Sequence, residues 1–335
     1  MNTTAVNSFL KGRFNLNQKK TDSIVAVPSK LQIQAPDSKL RSNPNVVIDA
    51  LPPAAVKAPM SYGYESNAVE MHTDIIPMSF LEFGLENIKK EFGQKRYGFE
   101  NDPYNNITDR YEANKIRRYR RSINQLKLND KNIWAREQQR DHIECPRFMM
   151  IVYYSICYVL DMIYKGNPIG RFWFLETVAR MPYFSYVAII HMYETLGWWE
   201  LDSSLKRAHA IEEANETHHL RIMESLGGNV SWWNRFLARH GAMAYYGVLL
   251  VLFMTSPRIA YLSSELLEMH AVDTYTEFYE SNARVLRELP PTQDALRYKP
   301  DAWNMYDVFR QIAVDEFKHA QNMKYIRALP NKKED

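Results

Sequence analysis

Two Glu-x-x-His units stand one hundred residues apart in this chain, Glu216-Thr217-His218-His219 and Glu316-Phe317-Lys318-His319. Both sit in stretches where apolar residues recur at three- and four-residue steps, the period of an α-helix. Positions i and i+3 of a helix share one face, so each unit aims a carboxylate and an imidazole at one point. Each unit follows another helical stretch with a Glu among apolar residues. These are Glu176 in Phe-Leu-Glu-Thr-Val-Ala and Glu268 in Glu-Leu-Leu-Glu-Met-His-Ala. The order is Glu, Glu-x-x-His, Glu, Glu-x-x-His. A buried carboxylate without a partner takes up a proton or destabilises the fold. Four of them on apolar helices make sense if they share something cationic; the alternative is that all four face solvent.

A Glu from each of two helices and a Glu-x-x-His from each of two others is the di-iron or di-manganese carboxylate pattern of ferritin-like bundles. Two divalent cations carry the charge that four carboxylates neutralise. Oxygen-rich ligands with some imidazole suit Fe or Mn. Cys145 and Cys157 are the only cysteines, too few for a thiolate site or a disulfide framework. The expected ligands are therefore Glu176, Glu216, His219, Glu268, Glu316 and His319. Glu265 and His270 flank Glu268 and are rival ligands. His218 rivals His219, but at i+2 from Glu216 it points elsewhere. The expected fold is all-α: a ferritin-like four-helix bundle with a di-iron carboxylate centre.

The chain of 335 residues divides by composition. Residues 1–60 hold eight Lys or Arg, three Asp, no Glu and six Pro, and read as a disordered tail or transit peptide. Residues 61–145 form a polar, charged region. There Lys115-Ile116-Arg117-Arg118-Tyr119-Arg120-Arg121 reads as a solvated helix face, or as a surface for anionic lipid. Residues 146–328 make the di-iron domain, with helices expected near 147–164, 171–196, 204–226, 232–255, 258–282 and 303–328. Pro182 predicts a kink in the second. A short tail, 329–335, closes the chain. The longest uncharged apolar runs, Phe148–Leu160 and Ala242–Thr255, are 13 and 14 residues. A spanning helix needs about 20, so these runs read as buried helices or as helices with one face in a bilayer. With 42 basic and 39 acidic residues, bulk charge names no nucleic-acid partner.

At these motifs the sequence resembles the alternative oxidase family, and more closely its plastid terminal oxidase branch. The matching stretches are Arg171-Phe-Trp-Phe-Leu-Glu-Thr-Val-Ala-Arg-Met-Pro-Tyr-Phe184 and His191-Met-Tyr-Glu-Thr-Leu-Gly-Trp-Trp199. Asn215-Glu-Thr-His-His-Leu-Arg-Ile-Met-Glu-Ser-Leu-Gly-Gly-Asn229, Ser256-Pro-Arg-Ile-Ala-Tyr261, Met305-Tyr-Asp-Val-Phe309 and Asp315-Glu-Phe-Lys-His319 follow. The likeness runs from about 147 to 325. It implies a membrane-bound quinol oxidase, its bundle joined by extra helices forming an apolar, monotopic membrane face, that reduces dioxygen to water at two Fe ions without pumping protons.

The same resemblance implies the six ligands named above, with Asn215, Asp315 and His191 around the metals. It gives Tyr275 a radical or proton role, against the plainer reading of a hydrogen-bonded core tyrosine. It lines a quinol pocket with Arg171, Leu175, Ala271 and Thr274, although Arg171 also reads as a structural salt bridge. It implies a homodimer on one leaflet of a lipid bilayer. The thylakoid membrane is favoured, with a mitochondrial inner membrane or a bacterial membrane as alternatives. The stretch between Glu268 and Glu316 is shorter than in plant plastid enzymes, with only residues 293–303 before the last helix, which weakens the plastid reading. Neither the plastoquinol–ubiquinol choice nor thiol regulation is legible in these motifs. The rival functions are a ferritin-like iron-binding protein, a soluble di-iron hydroxylase and a helical scaffold.

Overall fold

The computed structural model describes residues 78–97, 110–200 and 204–330. The expected tail or transit peptide, 1–60, lies outside the described residues. In chain order the described helices are α1 (Phe80–Tyr97), α2 (Arg110–Asn124), α3 (Asp130–Gln139), α4 (Arg147–Ile163), α5 (Pro168–Thr195) and α6 (Ser204–Ser225). They continue with α7 (Trp232–Thr255), α8 (Pro257–Ser281), α9 (Ala283–Glu288), α10 (Gln293–Tyr298) and α11 (Met305–Ala328). Among the described residues there is no strand. Local chemistry sets the starts. Asn167 caps α5, its side chain accepting from Gly170 N at 3.0 Å, and Pro168 follows at the first turn. Asn304 caps α11 through Asp307 N at 3.1 Å, and Thr292 caps α10 through Ala295 N at 3.3 Å. α5 continues without interruption through Pro182.

The helices α5, α6, α8 and α11 form the bundle. α5 packs along α6, and α8 along α11. Two apolar layers fill it. In one, Phe172, Ile222, Met223, Tyr275, Phe278, Phe309 and Ile312 pack together. In the other, Tyr183, Tyr186, Ile189, Ile190, Tyr261 and Met323 do the same, with Phe253 of α7. On every bundle helix the metal-type residues fall in sequence between these layers, so a polar layer is sealed above and below. Ile123 and Leu126, at and just beyond the end of α2, join the first layer. The solvated helix face expected at the basic run is the outer side of α2, whose Ile116 and Ile123 point inward.

Three helices keep much of their apolar surface uncovered; α1 exposes Phe80, Leu81, Leu85, Ile88 and Phe92. α4 buries only Met149, Tyr153, Cys157 and Leu160 and exposes Phe148, Ile151, Val152, Ile156, Val159, Met162 and Ile163. α7 buries Ala238, Ala242, Leu249 and Phe253 and exposes Met243, Val248, Val251 and Met254. The 14-residue run of α7 lies within a longer helix of 24 residues, and only 22% of that helix's most apolar window is buried. By length and composition alone, α7 is the one such helix among the described residues.

Candidate metal centre

One atom each of Glu176, Glu216, His219 and Glu316 lie within 4.8 Å of one another, and so do atoms of Glu216, Glu268, Glu316 and His319. Both groups are buried, and both include Glu216 and Glu316. His319 Nδ1 is 2.7 Å from Glu216 Oε1, and His219 Nδ1 is 3.1 Å from Glu316 Oε1. His219 Nδ1 also lies 3.6 Å from Glu176 Oε2 and 3.7 Å from Glu216 Oε2. α6 and α11 are thus antiparallel, and each histidine meets the other helix's glutamate.

These separations suit ion contacts, but their directions do not make hydrogen bonds. Glu176 Oε2, both Glu216 oxygens, Glu316 Oε1 and the Nδ1 atoms of His219 and His319 are buried without a hydrogen-bond partner. Orphaned polar atoms at such density are rare in folded proteins. Their lone pairs converge on shared space, and the residues present fit a pair of divalent cations. Electrostatics agree. Burial, reinforced by the Glu216 charge, pushes the Glu176 carboxyl up to about 8. Burial and the same charge raise Glu268 and Glu316. Burial opposes ionisation of Glu216 too, yet the two imidazoles hold its carboxyl well below the usual range. Three of four carboxylates resist ionisation unless positive charge is supplied.

The outer glutamates are held by tyrosines. Tyr275 donates to Glu176 Oε1, and Tyr183 donates to Glu268 Oε1 at 2.7 Å. Each tyrosine stands seven residues after the glutamate of its own helix and bonds the glutamate of the other. α5 and α8 therefore run antiparallel. Phe172 stacks on Tyr275 with centroids 4.3 Å apart, and Tyr183 meets His319 edge to face at 5.6 Å. Behind Tyr183 lies buried His209, bonded to Glu212 Oε2 and to the Tyr261 hydroxyl, each at 3.0 Å. Tyr183 and His209 were missed in the sequence. The two-turn spacing from Glu176 was the available signal for Tyr183, since seven residues return to the same helix face.

The other expected residues take varied positions. Asp315 is buried and bonded by Tyr298, Lys318 and Gln311. Asn215, half-buried, keeps a buried Oδ1 without a partner. His191 is not brought to the centre. It lies fifteen residues beyond Glu176, about 22 Å of helix, with a side chain 71% exposed. Arg171 is 2% exposed; its Nη1 reaches Asp161 at 2.8 Å and Asp130 at 3.0 Å. Its Nη2 is 3.3 Å from His270 Nε2, and its Nε is buried without a partner. Leu175 and Ala271 are half-buried, and Thr274 is buried with its hydroxyl on the His270 carbonyl. The rival ligands stand outside both groups. Glu265 is taken by Arg327, His270 faces Arg171 and Glu137, and His218 lines a surface pocket. Asp130 and Glu137 come from α3, in the region read from sequence only as polar.

Fold and site together define an all-α bundle with a carboxylate–histidine centre of the di-iron type. The profile of the alternative oxidase family matches residues 107–327, about two thirds of the chain, and the chain belongs to that family. "Ubiquinol oxidase 4, chloroplastic/chromoplastic" of Arabidopsis thaliana is 39% identical over 196 residues, covering 52% of this chain and 56% of that protein. "Ubiquinol oxidase 2, mitochondrial" of Glycine max is 26% identical over 162 residues, 48% of each chain. "Alternative oxidase, mitochondrial" of Wickerhamomyces anomalus is 25% identical over 171 residues, again 48% of each. The chain spans about half the length of the curated relatives it matches.

Proposed function

We propose that this protein is a membrane-bound quinol oxidase, taking electrons from a quinol and reducing dioxygen to water without pumping protons. The observation that carries the reading is the pair of overlapping ligand groups whose buried atoms have no partners among themselves. In this reading Glu176, Glu216, His219, Glu268, Glu316 and His319 would hold two Fe ions, Glu216 and Glu316 being the residues that both ligand groups share. When bound, the iron pair supplies the dioxygen chemistry. Tyr183 and Tyr275 each fix one oxygen of an outer glutamate and leave the other for a metal. The two aromatic layers exclude water. Arg171, held rigid by Asp130 and Asp161, offers its unpartnered Nε–H to a quinol oxygen beside Leu175, Ala271 and Thr274. Asn215 and Asp315 orient groups at the rim, and His191 takes no part.

The uncovered faces of α4 and α7 support association with one leaflet, so that quinol arrives from lipid. A homodimer and a thylakoid location are part of the proposal. The location leans on the chloroplastic name of the Arabidopsis relative, with a mitochondrial inner or bacterial membrane as the alternative. The test is oxygen uptake by the purified, iron-loaded chain on adding a short-chain quinol in the presence of cyanide. Uptake that persists in cyanide and disappears in Glu216→Ala is expected. Two bound irons with no quinol-dependent uptake would move the reading to iron storage or to a hydroxylase.

A further inference from the structure

The outer nitrogen of His219 has a partner that helix spacing does not foretell. Nε2 of His219 lies 3.2 Å from the hydroxyl of Tyr298, and the two rings meet edge to face with centroids 5.2 Å apart. The Tyr298 hydroxyl donates to Asp315 Oδ2. Asp315 is pinned in turn, its Oδ1 accepting from Lys318 Nζ at 2.8 Å and from Gln311 Nε2 at 3.1 Å. An ionised carboxylate only accepts, and a phenol has one proton. With that proton directed at Asp315, the phenol oxygen is left to accept from the imidazole. Neutral His219 then carries its proton on Nε2 and presents the Nδ1 lone pair to Glu176, Glu216 and Glu316.

Tyr298 ends α10, inside the short stretch 293–303 that precedes the last bundle helix. It also lines a pocket of about 390 Å³ with Asn215, His218, Arg297 and Asp315. One side of Tyr298 thus faces the pocket, while its hydroxyl reaches the fully buried His219. We propose that Tyr298 is a positioning residue for the metal centre: its hydroxyl, anchored on Asp315, fixes the tautomer and orientation in which His219 offers Nδ1 to a metal ion. The proposal rests on the reading of His219 as a ligand. Outer partners of metal-bound histidines typically change metal affinity about 10–100-fold when removed.

The test is Co(II) titration of the full chain, read by ligand-field absorption, with melting temperatures measured without metal. Tyr298→Phe keeps the ring and removes only the hydroxyl. It is expected to weaken Co(II) binding about tenfold or more and to shift the absorption bands, while the metal-free melting temperature falls by less than that of the metal-loaded protein. Arg297→Ala alters the same pocket wall at a residue bonded to Asp294, and is expected to change neither affinity nor spectrum. Unchanged affinity and spectrum in Tyr298→Phe overturn the proposal. So does an equal loss in Arg297→Ala, or a fall in the metal-free melting temperature as large as that of the loaded protein. If the unaltered chain binds no Co(II), the ligand reading fails first and the positioning role falls with it.

Discussion

Tyr183 shows how much of the centre depends on one hydroxyl. It is fully buried, and its hydroxyl donates to Glu268 Oε1, an acidic side chain that burial and the Glu216 charge keep raised in spite of that bond. Leaving a buried acceptor unsatisfied costs about 1–3 kcal/mol. Tyr183→Phe is therefore expected to lower folding stability by about that amount, measured by urea denaturation; a loss under about 0.5 kcal/mol would show that Glu268 is held by other means. At this scale the sequence was partly legible. The six Glu and His positions announced themselves because a carboxylate or imidazole within an apolar helical pattern needs an explanation. Tyr183, Tyr298 and Asp130 did not, because a tyrosine in an apolar pattern and an aspartate in a polar one violate nothing. Their partners stand 85, 17 and 41 residues away, and only the assembled fold brings them together.

At the scale of elements, close approach between helices is decided at the α6–α7 turn. Gly227 has φ +90°, a backbone conformation that suits glycine. Gly228 donates its N–H to the Met223 carbonyl at 2.9 Å, closing α6. A Cβ on Gly228 would lie 2.5 Å from Trp173 Cβ and 2.9 Å from the Ile169 carbonyl oxygen. Neither neighbour is the free end of a flexible chain, so α5 would have to move. Gly228→Ala is expected to destabilise the fold by about 1–3 kcal/mol, read as a lower urea midpoint with an unchanged slope. The exposed face of α7 makes a different prediction. Val251→Asp places a charge on an uncovered apolar surface and should leave the melting temperature nearly unchanged. It should lower binding to lipid vesicles about tenfold or more, given a cost of about 2.5–3.5 kcal/mol for such a charge deep in a bilayer. Equal flotation of variant and parent would remove α7 from the membrane reading. The bundle helices were legible in the sequence to within a few residues, since long runs without Gly or Pro leave little choice. The helices α1 and α3 were not, and α2 only at its basic run, because polar composition hides buried anchors such as Ile123 of α2 and Ile133 of α3.

For the whole molecule, metal binding and folding are linked, because the ligand atoms come from four helices and meet only in the folded state. A metal at about 100 times its Kd adds about 2.7 kcal/mol to stability, or about 5–10 °C in melting temperature for a folded domain of about 150–250 residues. Anaerobic addition of Fe(II) should produce that rise and a chelator should reverse it; an unmoved melting temperature would argue against the centre. All-α architecture followed from helical period and the paired motifs, but the antiparallel exchange of partners did not, since spacing along one helix says nothing of its neighbour's direction. That exchange has a consequence for symmetry. Glu176 and Tyr183 recur 92 residues later as Glu268 and Tyr275, and Glu216 and His219 recur 100 residues later as Glu316 and His319. The α5–α6 and α8–α11 halves thus carry one pattern twice, and each half's acids are answered by the other's tyrosine and histidine. Within a single chain this is an isologous contact, the self-complementary kind through which two identical subunits pair about a twofold axis.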